Sequence, residues 1–133
     1  MAHYESKHGQ LSRSPEELYM GFTDMRNIAA FVPAQYKESV TADYDTVSVS
    51  ARGFNISIRI SDRQPYSLIR FADVEAPFHF YITLHFDHSS VPGKTDFSIE
   101  ADADLNLMMK AMLGGKISEA LDKIIDAMEQ NLG

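Results

Sequence analysis

Phe78-His79-Phe80-Tyr81-Ile82-Thr83-Leu84-His85-Phe86-Asp87 decides how the chain is read. Phe78, Phe80, Ile82, Leu84 and Phe86 alternate with His79, Tyr81, Thr83, His85 and Asp87. Successive side chains of a strand point to opposite faces, so this stretch carries one apolar face and one polar face. Alternation kept this strictly belongs to an antiparallel sheet with one side in the core and one in water.

The same period of two extends in both directions. Val47, Val49 and Ala51 alternate with Thr46, Ser48 and Ser50, and Phe54, Ile56, Ile58 and Ile60 with Asn55, Ser57 and Arg59. Phe97, Ile99 and Ala101 alternate with Asp96, Ser98, Glu100 and Asp102. Turn residues separate the runs at Asp43–Asp45, Arg52-Gly53, Asp62–Pro65, Ala76-Pro77 and Ser89–Gly93. With a strand over Tyr66–Val74 and a short one near Val40, six consecutive strands are expected between Glu38 and Asp104. In Tyr66–Val74 the neighbouring pattern turns Ile69 and Phe71 inward and Arg70 outward. An inward Arg70 would be a buried cation in need of a partner, and hence a functional candidate.

Upstream of the sheet the period changes. Residues 2–11 read as a first strand, polar and near an edge. Its facing stays open: either His3, Glu5 and Lys7 or Tyr4, Ser6 and His8 point inward, and that set is the polar lining. Ser14-Pro15-Glu16-Glu17 is a helix start, with a capping serine, proline at the first helical position and glutamate three residues after the cap. Leu18, Phe22 and Met25 follow at helical spacing. Asp24 caps a second short helix over Arg26–Val32, which Pro33 ends.

Downstream, Ile117, Leu121, Ile124, Ile125, Met128 and Leu132 form one helical stripe, with Glu119, Asp122, Lys123, Asp126 and Glu129 on the other side. The helix is expected to begin near Asn106 and to bend at Gly114-Gly115. At about 1.5 Å per residue it runs about 40 Å, enough to lie across the whole concave face of the sheet. The fold expected is α+β: a seven-stranded antiparallel sheet, two short helices between strands one and two, and a long C-terminal helix.

The chain has 133 residues, 44% hydrophobic and 23% charged, which fits a single globular domain over residues 1–133. Its net charge of −7 repels phosphate backbones and anionic lipid, so neither nucleic acid nor membrane is an expected partner. Without cysteine there is no disulfide and no thiolate metal site. Met1–His8 holds no apolar run of the secretory kind, and no stretch approaches the ~18 apolar residues of a membrane span. A cytoplasmic protein is expected.

Four stretches carry a family likeness. Tyr4-Glu5-Ser6 opens the first strand. Leu11-x-x-Ser14-Pro15-Glu16-Glu17-Leu18-Tyr19, followed by Thr23-Asp24-Met25-Arg26-Asn27, forms the first-helix passage. Phe78-x-Phe80-x-Ile82-x-Leu84 leads into Thr95-x-Phe97, and Leu105-Asn106-Leu107-Met108-Met109 opens the final helix. With this order of elements the chain resembles the START-like superfamily, the helix-grip fold of plant pollen allergens, lipid-transfer domains and polyketide cyclases. The proline often found at the family's strand-to-helix junction is missing. Members resembling the Hsp90 ATPase activators tend to be tryptophan-rich, and this chain has no tryptophan. The matching motifs are structural, so the resemblance implies a fold and assigns no catalytic residue.

The remaining chemistry is sparse. His85-Phe86-Asp87-His88 has the look of a metal pattern, but strand positions three apart face opposite ways, so no metal site is expected from it. No serine sits in a glycine-flanked elbow, and Gly114-Gly115 lies in a helix rather than a phosphate loop. No cofactor is implied. The expected site is apolar: Phe54, Ile56, Ile58, Ile69, Phe71, Phe80, Ile82, Leu84, Phe97 and Ile99 from the sheet, with Met108, Met109 and Met112 as adaptable filler from the helix. Such a lining gives buried water no partners, so the space is either small or occupied by an apolar ligand. Non-catalytic binding of an apolar small molecule or lipid is the leading expectation. The alternatives are a structural or protein-interaction domain with a side-chain-filled cavity and, behind it, a polyketide cyclase-like enzyme.

Overall fold

The computed structural model describes residues 1–30, 38–51 and 54–133. The elements are β1 (Ala2–Glu5), β2 (Gly9–Leu11), α1 (Pro15–Phe22), α2 (Met25–Ala29), β3 (Val40–Ala42), β4 (Thr46–Ala51), β5 (Phe54–Gln64), β6 (Leu68–Glu75), β7 (Phe80–His88), β8 (Thr95–Ala103) and α3 (Leu107–Leu132). The strands form one antiparallel sheet in the order β1-β8-β7-β6-β5-β4-β3, with β2 also on β8. Each alternating run of the sequence is one of these strands. The expected turn at Arg52-Gly53 and the end of the second helix at Val32-Pro33 lie outside the described residues.

The expected first strand is two. Glu5 lies opposite Glu100 and Gly9 opposite Phe97, so four steps along this strand match three along β8. The extra residue makes a β-bulge. Ser6 holds it together: its amide donates to the Ile99 carbonyl at 2.8 Å, its Oγ accepts from the Ile99 amide at 2.8 Å, and the same hydroxyl donates to the Lys7 carbonyl at 2.7 Å. A one-residue slip reverses the facing of all that follows. Tyr4 therefore packs on the core and Lys7 meets the helix, while His3, Glu5 and His8 are exposed. Neither set expected from the sequence holds along the whole strand.

The helix starts follow their capping residues. Ser14 Oγ accepts from the Glu17 amide at 3.2 Å, and Asp24 accepts from the Arg26 amide at 3.0 Å. Met25 belongs to α2 rather than to the first helix, yet it is fully buried with Leu18 and Phe22. The turn expected at Asp62–Pro65 comes later. A register shift between Ile60 and Asp62 carries β5 on to Gln64, and the chain reverses at Pro65-Tyr66, where Tyr66 has φ 69° and the Ser67 amide donates to the Gln64 carbonyl at 3.0 Å.

Phe86 is the hub of the core, with ring centroids 5.4 Å from Phe97 and 6.3 Å from Phe22. α3 completes it with Leu121, Ile125 and Met128, all buried. The helix is continuous through Gly114-Gly115, where no interruption occurs. Gly114 instead admits Tyr4, whose hydroxyl would be 3.2 Å from a Cβ at that position. Among the strands, α3 packs closely on β1, β2 and β8 rather than across the whole concave face. No helix among the described residues is long and apolar enough to cross a membrane.

Candidate functional site

Because α3 is seated toward the β1–β8 edge, a cleft of about 550 Å3 opens between it and the middle of the sheet. Its sheet wall is Ile58 of β5, Phe71 of β6, Ile82 and Leu84 of β7 and Ile99 of β8. Ile28 of α2 contributes from one side, and α3 provides Ala120, Leu121, Lys123, Ile124, Ala127 and Met128. These strand residues share the concave face through the period of two, and register stacks them: Phe71 is opposite Ile82, and Leu84 opposite Ile99. Among the described residues Lys123 is the one ionisable group of this lining, and its ammonium pairs with Glu119 at 3.1 Å in the open. The chemistry that the described residues give the cleft is apolar contact with one cation at its rim.

The other residues expected here lie elsewhere. Ile69 and Phe97 are fully buried in the core, while Ile56 and Phe80 are half-buried away from the cleft lining. The side chain of Phe54 falls outside the described residues. The methionine filler is a correction. Met108 and Met112 are 72% and 64% exposed, and Met109 lines a separate groove with Pro77, Phe78, His79 and Asp104. At about 100° per residue, Met108 and Met112 sit roughly 100° and 140° around the helix from Ile125, off the buried stripe. Leu107 has the right bearing and is still 85% exposed.

The helix wall was the part that sequence reasoning missed. Ala120, Ile124 and Ala127 stand at i, i+4 and i+7, a second apolar strip beside the buried one. Two alanines make that wall shallow, and the spacing was there to be read. Ile124, placed in the core stripe from sequence, is 36% exposed along the cleft.

The convex face is polar. Arg70 points outward, its Nε donating to Thr83 Oγ1 at 3.2 Å and its guanidinium lying 6.0 Å from the Tyr81 ring centroid. His3 lies between two carboxylates, 3.0 Å from Glu5 and 2.7 Å from Asp102, and these hydrogen bonds raise its pKa to about 9. His85 and Asp87 also lie outward, beside a polar hollow of about 200 Å3 that Glu5, Ser6 and Glu100 share.

No protein-family model matches the sequence, and no curated protein matches it. Solved structures do match. The protein XoxI from Bacillus cereus superposes with a TM-score of 0.71 at 13% identity, over 99% of this chain and 96% of its own. A START superfamily protein from Mycobacterium smegmatis gives 0.65 at 13% identity over 97% of both chains. The Aha1 dimer from Colwellia psychrerythraea gives 0.57 at 11% identity, over 92% of this chain and 97% of that one. Identities this low speak for architecture alone. The antiparallel sheet, the early short helices and the long C-terminal helix, superposed over nearly the whole chain, give this protein the START-like helix-grip fold.

Proposed function

We propose that the chain is a single-domain binding protein that takes an apolar small molecule or lipid, without catalysis, into the cleft between α3 and the sheet. The observation that carries this reading is the lining: about 550 Å3 bounded by apolar side chains, with Lys123 the one ionisable group among the described residues. That volume lies within the roughly 300–1,000 Å3 typical of small-molecule sites. Bulk water there faces isoleucine, leucine and phenylalanine, and a ligand that covers this surface gains about 25 cal/mol per Å2 of apolar area removed from water. START-like architecture is compatible with a ligand held in this place.

A cyclase-like enzyme needs converging acid and base groups, and among the described residues the cleft offers one cation already paired with Glu119. A protein-interaction domain is favoured by a different observation, the exposed Leu107, Met108 and Met112 on the first turns of α3. Native mass spectrometry of freshly purified protein, with thermal shift against long-chain fatty acids, isoprenoids and aromatic polyketides, separates the readings. A co-purified apolar molecule, or a ligand-dependent rise in Tm, supports binding. No adduct and no shift with any class refutes it.

A further inference from the structure

Three strands that neighbour one another bring histidines and carboxylates together on the convex face, away from the cleft. His3 and Glu5 of β1 are two apart and share that face, Glu100 of β8 is directly opposite Glu5, and His85 of β7 is close enough to reach Glu100. One ligand atom from each of His3, Glu5 and Glu100 lies within 4.8 Å of the others. His3 Nε2 is 3.0 Å from Glu5 Oε1, and His85 Nε2 is 3.3 Å from Glu100 Oε1. In a tetrahedral site with bonds of about 2.0–2.1 Å, ligand atoms stand about 3.3 Å apart. The His3–Glu5 pair therefore already has the spacing of neighbours around a metal.

Two further observations point the same way. His85 Nε2 is buried and makes no hydrogen bond among the described residues, although it faces Glu100. Its neighbour there is the Glu100 carboxylate at 3.3 Å, so the imidazole stands behind that carboxylate and helps to position it. On the other side, His3 Nδ1 is 2.7 Å from Asp102, the outer carboxylate that fixes ring orientation in many histidine–metal sites and leaves Nε2 turned toward Glu5. Glu5 and Glu100 also place like charges directly across two strands, so a metal ion between them would relieve a repulsion that the His3 ring otherwise offsets.

We propose that the convex face binds one divalent transition-metal ion, zinc by its ligand chemistry, through His3 Nε2, Glu5 and Glu100, with water in the fourth position. An imidazole beside two carboxylates suits a borderline ion such as Zn2+ better than Ca2+ or Mg2+, which take all-oxygen shells. The polar hollow beside Glu5 and Glu100 leaves room for a bound water. Nothing in the sequence led to the expectation of a metal site, because these ligands meet across strands rather than along one.

The test is calorimetric titration of Zn2+ into tag-free protein, with Co2+ absorption as a second probe of ligand type. The expected result is one Zn2+ per chain and a Tm that rises with zinc and falls back with a chelator. Glu100→Gln, nearly isosteric and partly exposed, should weaken binding at least tenfold, and Asp102→Asn should weaken it 10- to 100-fold as an orienting partner does. His79→Ala, whose ring pairs with Asp73 outside the cluster, should leave it unchanged. Circular dichroism confirms that each variant is folded. No stoichiometric zinc at millimolar concentration, or equal affinity in wild type and Glu100→Gln, overturns the proposal.

Discussion

Gly9 of β2 and Ile125 of α3 touch so closely that a Cβ on Gly9 would lie 2.7 Å from Ile125 Cγ2. Ile125 is fully buried. Gly9→Ala should therefore destabilise by about 1–3 kcal/mol, the usual effect of overfilling a packed contact. In a double-mutant cycle with Ile125→Ala the two losses should add to less than their sum, because removing Cγ2 makes space for the new methyl. Additive losses in denaturant unfolding would show that the contact does not limit the approach of strand and helix.

Ser6 is the linchpin of the bulge. Its Oγ accepts from the Ile99 amide while its own amide bonds the Ile99 carbonyl, and the residue is 7% exposed. Ser6→Ala leaves the Ile99 N–H buried without an acceptor, which should destabilise by about 1–3 kcal/mol. Amide exchange read at Ile99 should accelerate in the variant. Unchanged protection would mean that water or a rearranged strand takes over.

His79 and Asp73 form a clasp at the β6–β7 end, Nδ1 to Oδ2 at 2.8 Å, with the Phe80 amide on the other carboxylate oxygen at 2.8 Å. The bond to Asp73 holds His79 above its ordinary 6.5, so its stabilisation is full below 6.5 and is lost as pH climbs through the raised value. Burial pushes Asp73 up, but the Phe80 amide and His79 together outweigh it and hold it below 3.8. Its share is present above 3.8 and is lost as pH falls through the lowered value. An NMR titration should place His79 above 6.5 in the native protein and near 6.5 in Asp73→Asn. The same midpoint in both would remove Asp73 as the cause.

The two apolar strips of α3 should behave differently. Leu121→Ala should cost about 2–5 kcal/mol, as truncation of a buried leucine does. Ile124→Ala, at a half-open cleft wall, should cost less than half of that, and Glu119→Ala less than about 0.5 kcal/mol. Ala127→Phe should fill the cleft and abolish ligand-induced thermal shifts while the circular dichroism stays native. Equal losses for Leu121→Ala and Ile124→Ala in urea unfolding would place both in the core.

The sheet and helix were legible because they rest on repeated patterns. Five alternating residues in Phe78–Phe86 leave one facing possible, and Ser14-Pro15 names a helix start outright. The first strand was not legible, since a one-residue insertion among His3, Glu5, Lys7 and His8 disturbs no apolar rhythm. Alternation also says that Ile69, Leu84, Phe97 and Ile99 point inward, but not which of them meet a ring and which meet a gap. That depends on where α3 is seated, and Gly9 and Gly114, which admit Ile125 and Tyr4 respectively, help to decide it. The cluster of His3, Glu5, Glu100 and His85 depends wholly on register, a property of three strands at once.

The bulge at Ser6 also bears on how these molecules behave in a crowd. A sheet with open borders invites another chain to add a strand, most readily where the border is long and flat. Here one border is broken into runs of four and three residues by the bulge, and the other is the three-residue β3. Neither offers the unbroken ladder of free amides and carbonyls that templated fibre growth requires. The irregularity that hid the first strand's facing from the sequence thus also guards a strongly β-forming chain against edge-to-edge polymerisation.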